Sequence, residues 1–152
     1  MIEYGMRLFG TNPAQLLLII ICSGLVIGAQ QLAINLSDMS LSMFISTEFN
    51  NIFADNQSHN FFNNVFLPSI MYMIASVLLV WMGVTNFAAI RNEESKFNGI
   101  LKFLLALIQI ALFFTFFFVG GKLLFYSVIF SLIIFVSAIF ILGALTSEKK
   151  QG

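Results

Sequence analysis

Four long apolar stretches, separated by short polar segments, dominate the pattern of this chain. A helix that crosses a bilayer needs about 20 predominantly apolar residues. By that criterion the pattern predicts membrane-spanning helices at residues 13–36, 67–90, 99–119 and 122–146. We therefore predict an all-α membrane protein in which one four-helix transmembrane domain covers residues 1–152.

The connections between the predicted helices differ greatly in length. Residues 91–98 form a short polar turn, and Gly120 with Gly121 predicts a tight hairpin between the third and fourth helices. The loop at residues 37–66 is much longer. Within it, apolar residues recur at i, i+3 and i+4 from Leu41 onward, which predicts an amphipathic helix at the membrane interface.

The long loop is also rich in aromatic side chains. Such a patch either caps the helix bundle or forms a docking surface for a partner protein, because exposed aromatic patches often mark interaction sites. The candidate docking residues are Phe44, Phe49, Phe53, Phe61 and Phe62.

The positions of the basic residues predict the orientation. No lysine or arginine occurs between Arg7 and Arg91, and the others cluster at 91–102 and 149–150, apart from Lys122. Basic residues near membrane spans stay on the cytoplasmic side. We therefore expect both termini in the cytoplasm and the loop 37–66 outside, as in a multi-pass protein of a bacterial inner (plasma) membrane with a periplasmic or extracellular loop.

Composition supports a membrane protein and narrows the range of partners. The chain is 59% hydrophobic and 9% charged, whereas soluble domains carry about 25% charged residues. Its formal net charge is zero, so no nucleic-acid partner is expected. We expect the lipid bilayer to surround the chain.

Small residues predict where the helices pack, since membrane helices associate through close backbone approach. Ser69, Ser76 and Gly83 recur at intervals of seven and so share one stripe. The complete set of predicted packing residues is Gly24, Gly28, Ser69, Ser76, Gly83, Ser127 and Ser131.

Groups that could perform chemistry are scarce. The predicted spans contain no aspartate or glutamate, and the chain has one histidine, His59, and one cysteine, Cys22. A catalytic triad or a multi-histidine or multi-cysteine metal site therefore cannot be built. We expect no enzyme activity, no metal and no cofactor.

Polar side chains within the predicted spans offer the remaining candidates. Asn86 lies near the inner end of the second span and Gln109 near the middle of the third, so we expect different depths and hydrogen bonds between helices. A pore is the alternative: Lys102, Ala106 and Gln109 share a helical stripe with Phe113.

The sequence thus predicts a non-catalytic membrane subunit with a structural or regulatory role. It would assemble as a homo-oligomer or with other membrane subunits. Two alternatives are an oligomeric channel or passive transporter, and a sensor whose outer loop signals to a cytoplasmic partner.

Overall fold

The computed structural model describes residues 12–33, 36, 38–53, 60–91 and 96–148, and these residues form helices without any strand. The elements are α1 (Asn12–Leu32), α2 (Leu41–Phe53), a π-helical turn (Phe62–Phe66), α3 (Leu67–Ile90) and α4 (Lys96–Glu148). Three helical stretches are long and apolar enough to cross a membrane: Ala14–Leu32, Phe62–Ile90 and Lys96–Ala144. The chain thus has the helices of an integral membrane protein.

The predicted hairpin at Gly120 and Gly121 is wrong, because α4 continues through both glycines as one helix of 53 residues. Three long helices therefore replace the four predicted ones in the described part of the chain. Backbone groups in apolar surroundings cannot exchange helical hydrogen bonds for water, so two glycines do not suffice to end a helix. At 1.5 Å per residue α4 is about 80 Å long, and it does not turn back toward the side of Arg91.

Helices α3 and α4 pack against each other as an antiparallel pair with coiled-coil spacing. On both helices the positions that face the partner are separated alternately by three and four residues, the repeat that keeps one face toward a neighbouring helix. In α3 and the turn before it these positions are Val65, Ser69, Tyr72, Ser76, Leu79, Gly83 and Asn86. In α4, the buried seam consists of Ala106, Gln109, Phe113, Phe116, Gly120, Leu123, Ser127 and Phe130.

Helix α1 covers a second side of α3. Its buried positions Gln15, Cys22 and Ala29 are spaced by seven residues and lie on one face. Cys22 packs in a core cluster with Ala75, Leu79 and Met82 of α3. The three helices therefore form a layered bundle with α3 between α1 and α4.

The start of α3 is shaped by a proline. Pro68 has no N–H to donate and its ring would crowd the carbonyl four residues earlier, and the turn before it is widened so that Leu67 N–H donates to Phe62 O. Asn60 Oδ1 accepts a hydrogen bond from Phe62 N–H at 3.0 Å, which caps the start of this turn.

Candidate functional site

Three buried amide side chains meet where α1, α3 and α4 come together. Asn86 Nδ2 donates to Gln109 Oε1 at 2.8 Å and to Gln15 Oε1 at 3.1 Å. Gln15 Nε2 donates back to Asn86 Oδ1 at 2.9 Å. Exposure is 3% or less for all three residues. This amide cluster (Gln15, Asn86 and Gln109) therefore connects the three long helices, with Asn86 at its centre.

The amide cluster corrects the predicted depths of its members. Asn86 and Gln109 were expected at different levels, but the antiparallel packing brings them within hydrogen-bond distance. Both lie near the end of the bundle where α3 finishes at Ile90 and α1 begins at Asn12. Gln15 was not among the residues predicted from the sequence. The seven-residue spacing of Gln15 with Cys22 and Ala29 is the signal that could have placed it on a packed face.

The predicted pore stripe faces α3 and does not line an opening within the chain. Ala106 and Gln109 have 0% exposure, and Lys102 and Phe113 at the two ends of the stripe are half-buried. Gln109 Nε2 is buried and has no hydrogen-bond partner among the described residues. A stripe that is packed in this way serves helix association, and any conducting path would have to lie elsewhere.

Hydroxyl groups near the helix contacts donate hydrogen bonds to backbone carbonyl groups of their own helices. Ser76 Oγ donates to Tyr72 O at 2.6 Å and Ser127 Oγ donates to Leu124 O at 2.8 Å. Thr85 Oγ1 likewise donates to Trp81 O at 2.7 Å. These side chains therefore act as small packing residues whose polar atoms are satisfied locally.

The predicted packing residues divide into three groups by burial. Ser69, Ser76, Gly83 and Ser127 lie buried in the α3–α4 contact. Gly28 is half-buried beside Met71 of α3, whereas Gly24 and Ser131 are exposed.

The two glycines of the predicted GxxxG motif therefore differ: a Cβ at Gly28 would come 3.0 Å from Met71 Cε of α3, whereas Gly24 makes no such contact within the described chain. A Cβ at Gly24 would meet no atom within 4 Å. The buried alanines are Ala29 in α1 and Ala33 directly after it, which share the face of Cys22.

An aromatic cap closes the opposite end of the bundle. The ring of Phe130 in α4 lies 5.1 Å from that of Phe61, 5.6 Å from that of Phe49 and 6.1 Å from that of Phe44. Tyr126 adds a ring contact with Phe44 at 5.4 Å, and its hydroxyl donates to Met39 O at 3.3 Å. These rings attach α2 to α4.

The predicted docking residues differ in how deeply they are buried. Phe44 is fully buried, Phe49 and Phe61 are half-buried, and Phe62 is 56% exposed. The side chain of Phe53 lies outside the described residues, as do His59, Arg7, Lys149 and Lys150. The capping interpretation of the loop therefore fits Phe44, Phe49 and Phe61, while Phe62 keeps an open surface.

Known proteins offer no further guide to this site. The chain matches no known protein family, no curated protein and no solved structure. Among the described residues, no group of three or more histidine, cysteine, aspartate or glutamate side chains is arranged to hold a metal ion. The function is therefore inferred from the geometry alone.

Proposed function

We propose that this protein is a non-catalytic integral membrane subunit that assembles with copies of itself or with other membrane proteins. The observation that carries this proposal is the length of α4 together with its exposure. Beyond Phe130, the last buried residue of the seam, residues 131–141 are apolar apart from two serines, and most of them are exposed. A helix that is hydrophobic all round needs lipid or other protein around it.

The length of α4 relative to the bilayer indicates that other protein covers part of its exposed apolar surface. The hydrocarbon core of a bilayer is about 30 Å thick, whereas the helix α4 measures about 80 Å. Lipid can surround only part of such a helix. Neighbouring subunits are the ordinary way to cover the remaining apolar surface, and the amide cluster and aromatic cap hold the bundle that presents it.

The test is purification in a mild detergent followed by mass spectrometry of the proteins that remain bound. We expect either a specific membrane partner or a homo-oligomer. Reconstituted liposomes provide the complementary test. We expect no solute flux, and flux above that of protein-free liposomes would favour the channel and contradict the proposal.

The proposed orientation places Arg91, Lys96 and Lys102 in the cytoplasm and α2 outside, in a bacterial inner membrane. Lysine and arginine are retained on the cytoplasmic side, and the aromatic cap lies at the end of the bundle opposite to these residues. Single cysteines at Ser58 and Ser95 in a Cys22→Ser background test it. An impermeant maleimide should label position 58 in intact cells and leave position 95 unlabelled until the membrane is opened.

A sensor role is the second candidate, and one observation favours it. The α2 helix contacts α4 directly through the rings of Phe44 and Phe130, so a ligand that displaced α2 would act on a helix that reaches the other side of the bundle. The exposed Phe62 is the open aromatic surface near this contact. Substitution Phe62→Ala would then change the response to a stimulus without changing assembly.

A further inference from the structure

Helix α4 carries a second seam that no part of the described chain covers. Its positions repeat the alternate spacing of three and four residues, and those from Phe114 to Val128 each lie two residues before a position of the buried seam. Two residues correspond to about 200° around a helix of 3.6 residues per turn, so the two seams lie on opposite sides of α4. The central residues of this open seam are Phe114, Phe118, Gly121, Phe125, Val128 and Leu132.

The open seam is apolar and accessible along its whole length. The five large side chains named above are 48% to 70% exposed. The same spacing extends back to Leu104 and forward to Ile139, which are 50% and 53% exposed. An apolar seam with this repeat over several heptads is the surface that one helix offers to another in a coiled coil.

The length of the open seam indicates that protein, and not lipid alone, covers it. From Leu104 to Ile139 it measures about 52 Å, which exceeds the hydrocarbon thickness of about 30 Å. About 20 Å of the seam must therefore lie beyond the reach of lipid chains. A helical partner would need to be equally long, straight and apolar.

We propose that the open seam binds the same seam of a second copy of this chain, in a parallel arrangement about a two-fold axis along the membrane normal. This inference rests on the proposed function and names its partner. Copies of one sequence insert in the same orientation, so their α4 helices stand parallel at the same depth. The seam contains no charged residue, and identical seams therefore do not repel each other.

Gly121 supplies the point of closest approach. A Cβ at this position would meet no atom of the described chain within 4 Å, so the backbone is open to a neighbouring helix. Phe118 and Phe125 lie about one turn away on either side and can pack around the contact. Lys122 flanks the seam, and its Nζ lies 5.6 Å from the centroid of its own Tyr126 ring, away from the two-fold axis.

Cysteine cross-linking in native membranes tests the inference. In a Cys22→Ser background, Val128→Cys and Leu132→Cys place thiols on the open seam, and Ser131→Cys places one at nearly the same depth on another exposed side. Under copper-phenanthroline oxidation we expect at least fivefold more disulfide dimer from the two seam positions than from position 131. Equal or weaker cross-linking at the seam positions would overturn the inference.

A second variant separates association from folding. Gly121→Leu in the Leu132→Cys protein should reduce the dimer yield severalfold while the amount of folded monomer stays unchanged, because a Cβ at position 121 would meet no atom of the described chain within 4 Å. Dimer yield that is insensitive to Gly121→Leu would contradict the proposed contact. The seam cysteines could fail to cross-link while the purified protein exceeds the mass of one chain. That result would contradict this interface but agree with the proposed function. A mass of one chain, without a bound partner, would contradict both.

Discussion

Gly120 and Gly121 are neighbours in α4 that face opposite surroundings. A methyl group at position 120 would come 2.6 Å from Tyr72 Cβ and 3.4 Å from Ser69 O, whereas one at position 121 meets nothing within 4 Å. We therefore expect Gly120→Ala to force α3 and α4 apart and to destabilise the protein by about 1–3 kcal/mol, the usual cost of overpacking. Gly99→Ala, in the same helix, is the matched control, because a Cβ there would also meet no atom within 4 Å. It should leave the melting temperature in detergent unchanged or slightly raised, since alanine favours helix over glycine.

Asn86 is the residue on which the amide cluster depends. Asn86→Leu removes the three hydrogen bonds that Asn86 makes with the buried amides of Gln15 and Gln109. At about 0.6 kcal/mol for each hydrogen bond in a membrane protein, with an added cost for the buried Gln109 amide that loses its bond to Asn86, we expect a loss of about 2–3 kcal/mol in denaturant titrations. Gln31→Leu replaces an exposed amide of α1 and should change stability by less than about 0.5 kcal/mol. Equal effects of the two substitutions would show that the cluster does not stabilise the bundle.

At the scale of the helices, the aromatic cap determines whether α2 stays on α4. Phe130 is 2% exposed and contacts three other phenylalanine rings. Phe130→Ala should cost about 3 kcal/mol, as for other buried phenylalanines, and should increase hydrogen exchange selectively in α2. Phe140→Ala, at a position that is 75% exposed, provides the control, and α2 protection that survives Phe130→Ala would contradict this assignment.

The sequence predicts individual helices better than the relations between them. Local apolar periodicity is sufficient to place α1, α2 and α3 close to their observed bounds, and the seven-residue interval of Ser69, Ser76 and Gly83 identifies the face that α3 buries. The prediction of a hairpin at Gly120 was wrong because a glycine can indicate either the end of a helix or a close contact between two helices. Only the contact with Tyr72 distinguishes the two.

Predicting the amide cluster requires knowledge of contacts between residues that are far apart in the sequence. Its members are up to 94 residues apart (Gln109 minus Gln15), and they meet only because of the register between antiparallel helices. That register follows from side-chain packing along the whole seam, which no local pattern encodes. The same reason explains why Gln109 was assigned to mid-span and Gln15 was overlooked.

At the scale of the whole molecule, the bundle holds together at two ends and leaves one long apolar helix face open. The amide cluster joins α1, α3 and α4 near the proposed cytoplasmic end, and the aromatic cap joins α2 to α4 at the other. The open surface of α4 is the feature on which the proposed assembly rests.

Native mass spectrometry of the protein released from lipid nanodiscs shows whether α4 assembles with another chain. The chain has a mass of 17.0 kDa. We expect a species of at least two chains, or of one chain with a second membrane subunit, that persists on dilution. A single species of 17.0 kDa under the same gentle conditions, with Asn86 and Phe130 intact and the helices folded, would contradict it.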